Sequence, residues 1–223
     1  MLDRVTVERI AAEYDGQDGC QDERVFSEQF RVPIASQGFL CKQELLEIVN
    51  WKAARQNSNA GRNDPTLVED VTRRAFAQKE PSEAARVLCN LKGVGTRMAS
   101  AILTVFNPKL YTVMDWRAWE SINNAALVGQ FHPPTPDLSL DSCDTYAVYL
   151  NTCHRLARHL QVSLRTLDKC LWMLKGRPPD CLAPRWVWRA RCSVAITLAD
   201  GPLASYPSCL PASRSIHSHF RSM

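Results

Sequence analysis

Leu91-Lys92-Gly93-Val94-Gly95-Thr96-Arg97-Met98-Ala99, running through an apolar helix to Met114-Asp115-Trp116, is the stretch around which the rest of the chain is read. Glycines on both sides of one valine permit left-handed or cramped backbone, so a helix over 81–91 can turn sharply and a second, over 95–106, can start at once. Amides at the start of the second helix lie at the positive end of its dipole, where phosphate oxygens are the natural ligand. A tight corner between two helices that binds nothing fits the same few residues. The residues after the glycines separate the two readings.

Beyond the corner come the apolar run Met98–Phe106, Asn107-Pro108, the short run Tyr111-Thr112-Val113-Met114, and a single carboxylate, Asp115. This arrangement resembles the helix-hairpin-helix DNA glycosylases, the HhH-GPD superfamily. Its members carry a Leu-Pro-Gly-Val-Gly hairpin, an apolar helix and a Val-Asp-Thr-His-like segment whose aspartate is catalytic. Bifunctional members place a lysine two residues after the second glycine and the aspartate eighteen residues later. Here Arg97 stands at the lysine position and Asp115 comes at the same spacing. The resemblance covers roughly residues 40–175, with its specific part confined to 91–117. It implies an all-α, multi-helix HhH-GPD-like domain over 1–176 and removal of a damaged or mispaired base from double-stranded DNA. A monomer in the cytoplasm, nucleoid-associated if bacterial, is the expected form.

Breaking an N-glycosidic bond leaves positive charge on the sugar, and a carboxylate beside C1′ stabilises that transition state and orients water. Asp115 is the residue assigned to this work. Simple N-capping of a helix over 116–124 explains the same aspartate, and both roles can hold together. A guanidinium is never deprotonated, so Arg97 cannot form the Schiff base that a lysine forms. The resemblance therefore implies a monofunctional glycosylase that leaves an abasic site. Arg97 is left to steer phosphate or to pair with Asp115.

Phosphate contacts are expected from the hairpin residues Lys92, Gly93, Val94, Gly95, Thr96 and Arg97, and from Lys52 and Arg55 at the end of an earlier helix. A glycosylase also extrudes its target base. Trp51 is a candidate to stack on that base, or else a core aromatic; Trp116 offers a second wall. Trp119 reads as core, and His154 and His159, five apart, are off the spacing for a shared metal.

Composition bounds these readings. With 223 residues and 45% hydrophobic content the chain suits one domain plus a tail, and it has no apolar run long enough to span a membrane. Nine cysteines show no CxxC pair; many superfamily members hold an iron–sulfur cluster through closely spaced C-terminal cysteines, and that spacing is absent, so neither cofactor nor metal is expected. The net charge of +4 falls entirely in the segment from Arg177 onward, and residues 1–176 balance. That weakens the electrostatic case for nucleic acid unless one face is locally basic. A DNA-binding module without catalysis, or a helical interaction protein whose glycine turn is only a corner, are the competing functions.

Periodicity predicts helices throughout. They are 4–14 with Val5, Ile10 and Ala11 inward, 23–30 ending before Pro33, and 42–55 burying Leu45, Leu46, Val49 and Ala53. A polar loop 56–63 leads to the Asp64-Pro65 helix start, with Leu67, Val68, Val71 and Phe76 buried. Residues 141–161 and 163–176 complete the set, 133–136 form a loop, and the proline- and arginine-containing tail 177–223 shows no periodicity.

Overall fold

A computed structural model describes residues 2–16, 23–123 and 139–175. The 133–136 loop, the last residue of the helix expected over 163–176 and the tail lie outside those residues. Among the described residues every regular element is helical, and no helix is long and apolar enough to cross a membrane. The elements are α1 (Arg4–Asp15), a 3-10 turn (Glu23–Phe26), α2 (Glu28–Gln37), α3 (Lys42–Ala53), a second 3-10 turn (Ala54–Gln56), α4 (Asn57–Ala60), α5 (Pro65–Phe76) and α6 (Pro81–Leu88). After them come α7 (Thr96–Phe106), α8 (Trp116–Ile122), α9 (Cys143–Leu160) and α10 (Leu164–Leu174).

Helix α7 lies at the centre because its sequence is apolar almost all round: every residue from Met98 to Val105 is buried. Helices α3, α6, α2 and α9 pack against it. Helix α9 buries Tyr146, Tyr149, Leu150, Cys153, Leu156, Ala157 and Leu160, the predicted face, and α10 buries Leu164, Leu167, Leu171 and Leu174. Helix α10 in turn packs on α1 and α8. Phe76 at the end of α5 stacks on Phe106 at the end of α7, with ring centroids 3.9 Å apart.

Three local expectations are corrected. Helix α2 does not stop before Pro33 but continues to Gln37, with Ser27 Oγ accepting from Phe30 N–H at its start and Gly38 in a left-handed C-cap. Only the one hydrogen bond that Pro33 cannot donate is lost, and burial of Ile34 one residue on offsets it. Residues 56–63 are a tight turn and the short helix α4 rather than an open loop. Val5 and Leu67, expected inward, are exposed, because the buried stripes are Val7-Ile10-Ala11-Tyr14 in α1 and Val68-Val71-Ala75 in α5.

The α6–α7 corner is built more from the outside than its glycines suggest. Val94 N–H closes a turn onto Leu91 C=O, and Gly93 has φ 79°. A Cβ at Gly93 would sit 2.9 Å from Ala60 N and 3.2 Å from Asn59 Cβ, so α4 also forbids a side chain there. Buried Asn63 fastens the two together: its Nδ2 donates to Ala60 O and Lys92 O at 2.9 Å, and its Oδ1 accepts from Lys92 N–H at 2.9 Å. Gly95 differs. Its φ is −99°, open to any residue, and a Cβ there would meet nothing within 4 Å.

Candidate active site

Asp115 sits where an extended segment, Tyr111–Met114, meets the start of α8. That segment has no strand partner among the described residues; Tyr111 N–H donates to Asn107 O at 3.0 Å, and the buried peptide groups after it turn to side chains. Tyr146 and Tyr149 of α9 donate their hydroxyls to Thr112 O (3.3 Å) and Val113 O (3.2 Å). Burial pushes both phenols well above the ordinary tyrosine value, so they stay protonated donors. Met114 N–H donates to Ser100 Oγ at 2.8 Å, while that hydroxyl donates to Arg97 O at 2.7 Å. Ser100 thus ties the first turn of α7 to the residue preceding Asp115.

The Asp115 carboxylate is held at both oxygens. Oδ1 accepts from Arg117 N–H at 3.0 Å, an N-cap of α8, and Oδ2 accepts from Lys52 Nζ at 3.0 Å. Both side chains are mostly covered, Lys52 to 14% and Asp115 to 18% exposure. Burial pushes the carboxyl upward, but the Lys52 ammonium and the Arg117 N–H outweigh it and hold Asp115 below the usual carboxylate value. A depressed folded-state pKa stabilises the fold above the unfolded value near ~3.9 and stops doing so as pH falls through the folded value. Urea melts between pH 6 and 2 are therefore expected to show wild type losing more stability in acid than Asp115→Asn. Equal loss in the two proteins would mean the carboxylate is not held ionised.

Two cavities meet at this pair. The first, of about 420 Å³, is lined by the hairpin residues Gly93–Met98, by Arg55 and Gln56, by Trp116, and by Lys52 and Asp115. The second, of about 350 Å³, also reaches Lys52 and Asp115 but is walled by Tyr14, Trp51 and Trp172, with Asn50, Arg165, Asp168 and Lys169. In the first, α7 begins at Gly95 without any side-chain cap, so the amides of Thr96, Arg97 and Met98 have no acceptor within the helix. In the second, Arg165 lies against Asp168 and Glu23 and over the rings of Phe26 (4.5 Å) and Trp51 (5.8 Å), while its Nε, shielded from solvent, has no hydrogen-bond partner. Asp168 is buried, which pushes its carboxyl upward against the pull of Arg165.

The structure redistributes the expected basic residues. Lys52, expected on phosphate, is bound to Asp115, because the last turn of α3 points its ammonium at the carboxylate that both cavities share. Arg97 does not pair with Asp115; its guanidinium lies 3.5 Å from Asp141 at the exposed rim. Arg55 and Lys92 are exposed and make no ion pair among the described residues, and Arg55 lines the first cavity whereas Lys92 lines neither. Trp51 packs edge-on to Phe26 and faces the second cavity. Trp116, on the first cavity, is 39% exposed and carries the Lys175 ammonium 3.2 Å from its ring centre. Trp119 packs against the core near Tyr149, and His154 bonds Leu110 O at 2.8 Å.

Asn63, Ser100, Arg165 and Asp168 are residues of the site that the sequence alone does not reveal. The contacts that matter run across the fold, from Asn63 over 29 positions and from Arg165 to Glu23 over 142, and no local pattern marks them. Among the described residues no cluster of histidine, cysteine or carboxylates could hold a metal ion.

Compared with protein families, with curated proteins and with solved structures, the chain matches none.

Gly95 gives a direct test of the first cavity. Alanine there meets no atom and no backbone strain, so Gly95→Ala is expected to melt within about 1 kcal/mol of wild type. A methyl group over the open amides would still block close approach of a ligand backbone. Loss of duplex binding with an unchanged melt would place the strand at this corner; unchanged binding would remove it.

Proposed function

We propose that the protein is a DNA N-glycosylase of the helix-hairpin-helix type, hydrolysing the bond between a damaged or mispaired base and its sugar with Asp115 as the catalytic carboxylate. The observation that carries this reading is the position of Asp115 on the wall common to two cavities of different character. One offers free helix amides and Arg55, which suits a phosphodiester strand. The other offers aromatic walls, which suit an extruded base. A nucleotide spanning the two has its C1′ at the carboxylate.

Asp115 is kept ionised, as stabilising an oxocarbenium-like transition state requires. Its Oδ1 is fixed by capping α8, so the charge does not reorient as the bond breaks. Trp51 and Trp172 provide faces on which a base can stack. The test is a panel of duplexes, each with one defined lesion or mispair, assayed for free base and, after alkali, for strand breaks at the abasic product. Release of one or a few bases supports the reading. Salt-dependent duplex binding with no release from the whole panel would leave a DNA-binding module, the second reading, which the neutralisation of Asp115 by Lys52 favours.

A further inference from the structure

We propose that Cys89 and Cys143 form an oxidation site, closing to an intrachain disulfide that staples the end of α6 to the start of α9 beside the α6–α7 corner. The inference stands apart from the glycosylase reading, because it needs neither DNA nor Asp115. Neither cysteine lines the two cavities that meet at Asp115, so the bond forms behind that site and not in it.

Three helix ends converge here. Cys89 is the C-cap residue of α6, Thr96 opens α7, and Cys143 is the first residue of α9. Helices α6 and α9 pack on one another, and Arg86, one turn before Cys89, holds Asp144, the residue after Cys143, at 3.1 Å. The Thr96 hydroxyl lies 3.6 Å from Cys143 Sγ while donating to Asp141 O at 2.7 Å. The Cys89 thiol hydrogen-bonds with both Thr96 and Cys143, so the three side chains touch in a ring. Both cysteines are free thiols and only half-buried, whereas Cys153 and Cys170 are buried. Burial, and then the Cys143 sulfur beside it, pushes the Cys89 thiol up to about 11, so it keeps its proton at neutral pH and the first attack falls to Cys143.

The oxidant is a small disulfide, and the exchange balances with nothing else. The Cys143 sulfur attacks one sulfur of the oxidant, whose S–S bond breaks; the other half leaves as a thiol with the proton that Cys143 gives up. The Cys89 sulfur then attacks Cys143 Sγ in the mixed disulfide and expels the second half as a thiol with the Cys89 proton. Two protein thiols are oxidised, and one small disulfide is reduced to two thiols. The closed loop runs from the end of α6 through the corner, α7 and Asp115 to α9, whose Tyr146 and Tyr149 hold the segment before the acid. A cross-link over so long a stretch restricts the unfolded chain strongly, so oxidation stabilises the part of the fold that joins corner and acid.

The experiment incubates the full chain with oxidised glutathione, caps the remaining thiols with N-ethylmaleimide, and maps the protein by mass spectrometry after digestion without reductant. Thermal melts are followed by circular dichroism with and without dithiothreitol. Wild type is expected to give a cross-linked Cys89–Cys143 peptide and a melting temperature raised by about 5–10 °C, returned to the reduced value by dithiothreitol. Cys143→Ser and Cys89→Ala are expected to show neither the peptide nor the rise. Cys41→Ser, at the N-cap of α3 where serine is a good cap, is expected to show both. The wild-type peptide map decides the case even where a variant folds poorly. Wild type that yields only glutathione adducts or pairs with other cysteines overturns the proposal, as does a rise that persists in Cys143→Ser. A cross-linked protein that melts no higher than its reduced form overturns the staple.

Discussion

Asp115→Asn is expected to slow base release from the preferred lesion duplex by about 1,000-fold or more in single-turnover assays, with duplex binding retained. Asparagine is nearly the same shape and is a good N-cap, so its carbonyl can still accept from Arg117 N–H and keep α8 in place. What disappears is the negative charge. Lys52, whose ammonium was compensated by a carboxylate at 3.0 Å, then faces a neutral amide beside a sugar that is becoming positive. The variant loses an attraction and gains a repulsion, both in a largely covered site where charge is poorly screened. The stability cost should be small, about 1–2 kcal/mol, because one partly buried ion pair becomes a hydrogen bond. Wild-type rates in the variant would exclude Asp115 from the chemistry.

Gly93→Ala is expected to destabilise the fold by about 3 kcal/mol or more and to abolish duplex binding. Two costs add. A left-handed φ costs an ordinary residue about 1–2 kcal/mol, and the new Cβ at 2.9 Å from Ala60 N must displace backbone rather than a flexible side chain. Relieving the overlap separates α4 from the corner and strains the three hydrogen bonds of Asn63. For a domain of this length the melting temperature should fall by about 6–12 °C. A variant that melts with wild type would show that the corner can relax, and would remove the rigid placement of its amides. The contrast with Gly95→Ala, unhindered in its space but exposed to the ligand, separates folding from binding at two positions two residues apart.

The helical class, the main buried faces and the spacing between corner and acid were legible because they are periodic or local. The apolar face of α9 repeats at helical intervals, and Asp64-Pro65 announces its own helix start. What stayed hidden depends on side chains meeting across the fold. Nothing near Asn63 says that it will hold Lys92, and nothing near Lys52 says that it will face Asp115 rather than solvent. The course of α2 through Pro33 was missed for a different reason. A proline is a local stop signal, and here burial of the next residue overrode it. The two glycines of the corner read alike in sequence, yet only Gly93 is required by backbone geometry.

The hydroxyl of Ser100, bonded at once to Arg97 O and to Met114 N–H, makes the corner and the acid ends of a fixed ruler. A ruler cannot stretch to suit its object. If the protein grips a DNA strand as proposed, the same point along that strand is offered to the acid whichever strand it is, and a flexing clamp has no part in telling one nucleotide from the next. On that proposal discrimination falls on two things the ruler does not measure: how readily a base swings out of its stack, and whether the chamber behind Trp51 admits it.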